Sequence, residues 1–296
     1  MHLEEFLQID LPAILVAVLA SATCAILGSY LLLRRQALMG DTLSHVVLPG
    51  IAVGFLLSGD INPLYMMGGA LAACLISVLL INFIKAYGKI EPGAAMGIVF
   101  TAMFALGIVL LETKIGSKVH LDAQHALYGA LELTYWPEPG NFSTIPHQVV
   151  MLAGLLVLVI VAVTAFFKEL KITSFDPVMA ATMGYKVSRY DSLLMVLVAL
   201  AAVAAFEAAG SIVVIAMFIC PAATARMFCD DLAAQLKMAG VIGAASGFLG
   251  YMLASIVPLW IGFEHSLSAS GMIALTAGGF QAAAMLFAPK YGALRS

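Results

Sequence analysis

Apolar runs of about twenty residues recur from one end of this chain to the other, and nothing else constrains its fold as tightly. A helix needs ~20 apolar residues to cross a bilayer, and inside the hydrocarbon it must satisfy its own backbone polar groups. Breaking the chain at its Gly, Pro and charged clusters predicts spans near 11–33, 37–57, 63–84, 92–111, 146–167, 191–207, 209–228, 239–260 and 267–288. The expected fold is an all-α, polytopic transmembrane helical bundle of about nine spans. The range is seven to ten, because a segment such as 191–228 divides in more than one way. The short apolar piece Leu121 to Leu133 is expected to be re-entrant or to lie at the surface. Of 296 residues, 62% are apolar and 10% charged, more apolar surface than one soluble core could hide. No stretch is left for a soluble domain of ordinary size, so residues 1–296 read as one membrane domain.

Orientation follows from the basic residues. With the loop between Phe167 and Asp191 in the cytoplasm, alternation puts Arg34, Arg35, Lys85, Lys89, Lys168, Lys171, Lys186, Arg189, Arg226, Lys237, Lys290 and Arg295 inside. Only Lys114 and Lys118 fall outside, so 12 of the 14 basic residues obey the positive-inside rule. The amino terminus is then external and the carboxy terminus cytoplasmic. Met1 to Asp10 carries Glu4, Glu5 and Asp10 but no basic residue, so no cleaved signal is expected. Cys24, Cys74, Cys220 and Cys229 lack Cys-x-x-Cys spacing and read as small core residues. The net charge of −3 says little about partners, and no feature points to nucleic acid.

Against this background the stretch Arg34-Arg-Gln-Ala-Leu-Met-Gly-Asp-Thr-Leu-Ser-His-Val-Val-Leu-Pro-Gly50 stands out. Asp41 and His45 are four residues apart and share one helix face. Ionisable groups in hydrocarbon cost at least ~2.5 kcal/mol each, so such a pair marks a functional site by default. With the helix beginning after Arg35, His45 is expected roughly 15 Å deeper, near the midplane, with Asp41 one turn nearer the cytoplasm. Pro49 and Gly50 follow, where the helix is expected to kink and let a neighbour approach. The pair offers one oxygen and one nitrogen, which suits Mn²⁺, Fe²⁺ or Zn²⁺, and two facing copies would supply four ligands. It equally suits a proton relay or a hydrogen bond between helices. His2, His120, His125, His147 and His265 fall in or near external segments as ordinary solvated histidines, with His125 the best of them for a lining role. Glu207 and Glu264 lie at expected external ends, where solvation accounts for them, although they could help receive a cation.

A second polar island, Lys168 to Arg189, contains a compact helix signal. Asp176 is placed to cap, Pro177 suits the first helical position, and Gly184 is placed to end the helix in a left-handed conformation. Phe175 and Met179 would then be free for contact, either as a docking knob for a soluble partner or as an ordinary interfacial face. There is no Gly-x-x-x-x-Gly-Lys-Ser/Thr loop, so ATP hydrolysis by this chain is not expected. There is also no His-Glu-x-x-His and no Gly-x-Ser-x-Gly, which weakens a membrane protease or lipase.

The segment Leu38-Met-Gly-Asp-Thr-Leu-Ser-His-Val-Val-Leu-Pro-Gly50 closely resembles the signature of the membrane permeases of zinc/manganese/iron ABC importers. Thr173 to Gly184 resembles that family's cytoplasmic coupling segment, Gly210 to Ala225 its Pro-Ala-Ala-Thr-Ala membrane helix, and Ser268-Ala-Ser-Gly271 its small-residue motif near the carboxy end. The resemblance implies a permease homodimer in the bacterial inner membrane, two cytoplasmic ABC ATPase subunits, and an external or periplasmic metal-binding protein that delivers the ion. It also implies that Asp41 and His45 coordinate the metal, and that Phe175, Asp176, Pro177, Met179 and Gly184 belong to the coupling element. The metal would be transported cargo, with no permanently bound cofactor. The family's manganese/iron branch shows Met-Gly-Asp-x-x-Ser-His-x-x-Leu-Pro-Gly, which this chain matches, whereas Thr42 and Leu43 agree with the zinc form. Manganese or iron is therefore expected, with zinc as the alternative. The rivals are an autonomous ion- or proton-coupled carrier, which needs no partner, and a membrane enzyme, for which no nucleophile or metal cluster is found.

Overall fold

The computed structural model describes residues 6–59, 62–112, 131, 134–138, 144–258, 267–289 and 292. The helices are α1 (Leu11–Leu33), α2 (Met39–Ser58), α3 (Pro63–Gly88), α4 (Pro92–Leu110), α5 (His147–Ala165), α6 (Phe167–Phe175), α7 (Pro177–Thr182), α8 (Val187–Ala209), α9 (Ser211–Phe228), α10 (Leu232–Tyr251) and α11 (Ala269–Phe287). Wider π-helical turns precede α1 at Phe6–Asp10 and follow α10 at Met252–Ile256. Among the described residues there is no strand. Eight helices are long and apolar enough to cross a membrane, and α9 is a shorter apolar helix carrying Pro221. The nine expected spans thus each have a helix, and the fold is the polytopic bundle expected.

One boundary and one whole helix differ from expectation, for a shared physical reason. α10 begins at Leu232 rather than 239, because the Asp231 carboxyl accepts hydrogen bonds from the N–H groups of Ala233 (3.0 Å) and Ala234 (3.2 Å) and caps the helix ahead of its most apolar stretch. Hydropathy sees the apolar stretch and not its capped cytoplasmic turns. The same blindness hides α6, a nine-residue helix in what reads from sequence as a polar connection.

α1, α2 and α8 form the interior of the bundle, and α1 packs most extensively on α10 while α2 packs most extensively on α3. α4, α5 and α11 lie at the periphery and turn side chains such as Leu106, Val157, Val161 and Leu275 outward. In a bilayer that surface is solvated by lipid, so it needs no second layer of protein.

Polar contacts sort the ends of the helices into two faces. On one, Arg34 at the end of α1 reaches Thr173 and Ser174 in α6 and Asp191 in α8, and Lys171 of α6 lies 3.6 Å from Asp231 at the start of α10. On the other, Tyr251 and Ser255 donate to Asp10 at 2.8 and 3.2 Å, and Ser270 donates to the Ala209 carbonyl at 2.8 Å. Arg34, Lys171 and Arg226 share the first face, the one that the positive-inside bias of the sequence assigns to the cytoplasm. Lys114, Lys118, Lys290 and Arg295 lie outside the described residues, as does most of Leu121 to Leu133.

Candidate functional site

From Met39 to Gly50 every residue of α2 is buried except two, Asp41 and His45. Their side chains are 35% and 23% exposed, and the Asp41 Oδ1 lies 3.4 Å from the His45 Nε2. The helical spacing therefore does what it predicts: it aims one carboxyl and one imidazole through the same opening in an otherwise closed surface. The ring of His45 is held by two aromatic edges from α4, with centroids 5.0 Å from Phe100 and 5.4 Å from Phe104 at interplanar angles of 66° and 80°. Its Nδ1 is buried without a hydrogen-bond partner. Packing against Phe100 and Phe104, and not a hydrogen bond at this nitrogen, orients the ring. Nothing in a hydropathy pattern marks those two phenylalanines. The signal available was their i, i+4 spacing on α4.

The pair sits nearer the start of α2 than expected. The chain turns through Arg35 (φ +57°) and Gln36, and the helix starts only at Met39, so His45 lies roughly 9 Å along it. Beyond it α2 runs as one continuous helix through Pro49 to Ser58 and does not break at Pro49–Gly50 as expected, and only the close approach of neighbouring helices is found there. A Cβ on Gly50 would stand 2.4 Å from the Gly69 carbonyl oxygen of α3, and one on Gly107 of α4 would stand 2.9 Å from the Pro49 Cδ. Three helices thus meet one turn above His45, at a point where only hydrogen fits. Past this point the same stripe of α2 continues as Val53 and Leu57 into an apolar groove of about 810 Å³ shared with α3 and α4.

Other candidates separate clearly. Among the described residues no group of three or more His, Cys, Asp or Glu side chains is placed to hold a metal, so Asp41 and His45 stand as a pair. The four cysteines are free, with Cys24 and Cys74 buried. Glu207 corrects an expectation: it is not simply solvated, because the last turns of α8 are packed into the bundle and its Oε2 is buried without a hydrogen-bond partner. The exposed His147, first residue of α5, lies within electrostatic range of it. His2, His120, His125, Glu264 and His265 lie outside the described residues.

The cytoplasmic helix forms as its residues predict. Asp176 Oδ1 accepts from the Met179 N–H at 2.8 Å, Pro177 opens α7, and Gly184 takes φ +88° just beyond its end. Phe175, Val178, Met179 and Met183 are all exposed, an apolar cluster on the cytoplasmic face. Nearby, the Ala234 N–H, helped by that of Ala233 and by Lys171, holds the Asp231 carboxyl below the usual carboxylate range.

A polytopic bundle with an ionisable pair opening from its interior describes a membrane transport protein, and the comparisons give the class its family. The chain matches the ABC 3 transport family over residues 5–288, and it belongs to that family as a multi-pass membrane permease. It is 36% identical over 279 residues to the manganese transport system membrane protein MntD of Bacillus subtilis (strain 168), covering 94% of this chain and 91% of that one. It is 34% identical over 283 residues to the zinc transport system membrane protein TroD of Treponema pallidum (strain Nichols), covering 95% of this chain and 75% of the other. Among solved structures it resembles PsaBC from Streptococcus pneumoniae in complex with Fab, with a TM-score of 0.74, 32% identity, and coverage of 94% and 91%.

Proposed function

We propose that this chain is the permease subunit of an ATP-driven importer of divalent transition metal ions, with residues 1–296 acting as one permease domain and two copies forming the path. The observation that carries it is the Asp41–His45 pair, the two accessible side chains on the buried part of α2. One oxygen and one nitrogen are too few to hold a cation firmly, and two copies face to face would provide four. A site built that way binds well enough to collect an ion and weakly enough to release it. An external binding protein presents the metal. Cytoplasmic ATPases dock on α7 through Phe175 and Met179, and their nucleotide cycle switches the opening from one side to the other. The relative named for manganese and the Met39-Gly-Asp41 match favour manganese or iron. The relative named for zinc, together with Thr42 and Leu43, keeps zinc as the second reading.

The test is ⁵⁴Mn²⁺, ⁵⁵Fe²⁺ and ⁶⁵Zn²⁺ uptake by the assembled complex carrying Asp41→Ala or His45→Ala. Loss of uptake in both is expected, and near-normal uptake in both removes the pair from the path. The same chain in liposomes without its ATPase should accumulate no metal. Accumulation there would establish the autonomous carrier instead.

A further inference from the structure

Arg34 is the most heavily engaged basic side chain among the described residues, and the transport scheme above gives it no part. Its side chain is only 8% exposed. Its Nε donates to the Ser174 hydroxyl at 2.9 Å and one Nη to the Thr173 hydroxyl at 3.3 Å, both in the last turn of α6, while the other Nη pairs with Asp191 near the start of α8. Burial pulls the guanidinium below its ordinary pKa, and the Asp191 carboxylate opposes that shift. One rigid fork therefore links the ends of α1 and α6 to α8, an arrangement that a lysine's point charge could not reproduce.

What makes the joint informative is where its arms lead. Two residues past Ser174, Asp176 caps the exposed helix α7. In the other direction Asp41 is seven residues past Arg34, and the intervening chain has no slack. Gln36 N–H bonds the Leu31 carbonyl at 2.8 Å, Met39 N–H bonds Gln36 at 2.9 Å, and Thr42 N–H bonds Leu38 at 2.9 Å. A further polar link from α6, Lys171 to Asp231, is exposed on both sides and screened by solvent. We propose that Arg34 is the positioning residue that carries displacement of α7 to the Asp41–His45 turn, with Thr173 and Ser174 as its contacts on α6 and Asp191 as its anchor. This rests on α7 being the ATPase dock and Asp41 a metal ligand. It adds the mechanical connection between them.

Two variants of the reconstituted permease–ATPase complex test it. Thr173→Val/Ser174→Ala removes the α6 contacts and leaves the Arg34–Asp191 pair, and Arg34→Gln removes the fork. In both, Mn²⁺ moved per ATP hydrolysed should fall about fivefold or more, the low end of coupling between sites, with ATP hydrolysis and assembly preserved. An unchanged ratio in the double variant overturns the proposal. So does failure of the double variant to assemble, since the contacts would then only hold the fold. A second measurement does not depend on the cargo: with Cys220 and Cys229 replaced by Ser, spin labels at Leu38→Cys and Thr182→Cys in one copy only should keep one narrow distance on ATP binding, and that distance should broaden in the double variant. A distance that stays narrow there also overturns the joint. A wild-type complex that hydrolyses ATP without moving metal would break the transport reading, and the label distance would still decide the role of Arg34.

Discussion

Two aspartates at opposite faces of the bundle show how placement divides structural from functional charge. Asp10, between a π-helical turn and α1, is 6% exposed, and its carboxyl accepts from Tyr251 at 2.8 Å and Ser255 at 3.2 Å. The Asp41 side chain is 35% exposed and, among the described residues, its carboxyl meets His45 alone, at 3.4 Å. The first carboxyl accepts both bonds at Oδ1 and ties the start of α1 to the end of α10. The second is held in place with its coordinating capacity unspent. A buried polar group that is satisfied contributes to the fold, and one left open toward a path is available to a cation. The neighbourhood agrees: around Asp10 the partners are hydroxyl donors, whereas around His45 they are the apolar edges of Phe100 and Phe104, which fix a ring without competing for its nitrogen.

The contrast breaks most sharply at Asp41. Asp41→Asn keeps the shape and removes the charge, and uptake by assembled complexes should drop roughly 100-fold, about 2.7 kcal/mol of lost binding. A drop under twofold would put Asp41 in the same class as Asp10. Next comes the three-helix crossing: Gly50→Ala drives a methyl into the Gly69 carbonyl and should lower stability by about 2 kcal/mol, read as an earlier melt in detergent. Phe100→Ala or Phe104→Ala should raise the metal concentration for half-maximal uptake about fivefold, near 1 kcal/mol, with the maximal rate little changed, and Leu should restore part of it. An unaltered half-saturation in both would mean that the ring edges do not orient His45. The smallest effect is expected at Asp10→Asn. It should cost about 1 kcal/mol of stability in melting experiments, while uptake per folded complex stays within about twofold of wild type. Loss of uptake without loss of stability would make Asp10 part of the path and erase the contrast.

Much of this was legible in the chain because membranes impose one-dimensional rules. Nine apolar segments each became a helix, and the Asp176, Pro177 and Gly184 signals gave α7 its start and stop, because capping and left-handed turns depend on a few neighbouring residues. α6 was invisible because a short amphipathic helix at an interface has neither the length of a span nor the punctuation of a turn. The distance of His45 from the start of its helix was overestimated because Arg35 takes a left-handed turn, which delays α2 to Met39. Glu207 misled for a related reason: a carboxyl near a span end reads as solvated, and only the packing around α8 buries one of its oxygens.

By itself, then, the order of residues determined that this protein crosses a membrane many times, on which side its basic loops are expected, and that Asp41 and His45 share a side of one helix. Those outcomes follow from hydrocarbon thickness, charge bias and a 3.6-residue period, all local along the chain. Only the tertiary structure decided that this side is the single opening in α2's buried stretch, that Phe100 and Phe104 grip the imidazole, and that Arg34 joins α1 to α6 and α8. Such contacts span tens of residues to more than a hundred in sequence. They are set by which helices pack together, and apolar periodicity is nearly silent on that where lipid solvates one helix face as readily as another.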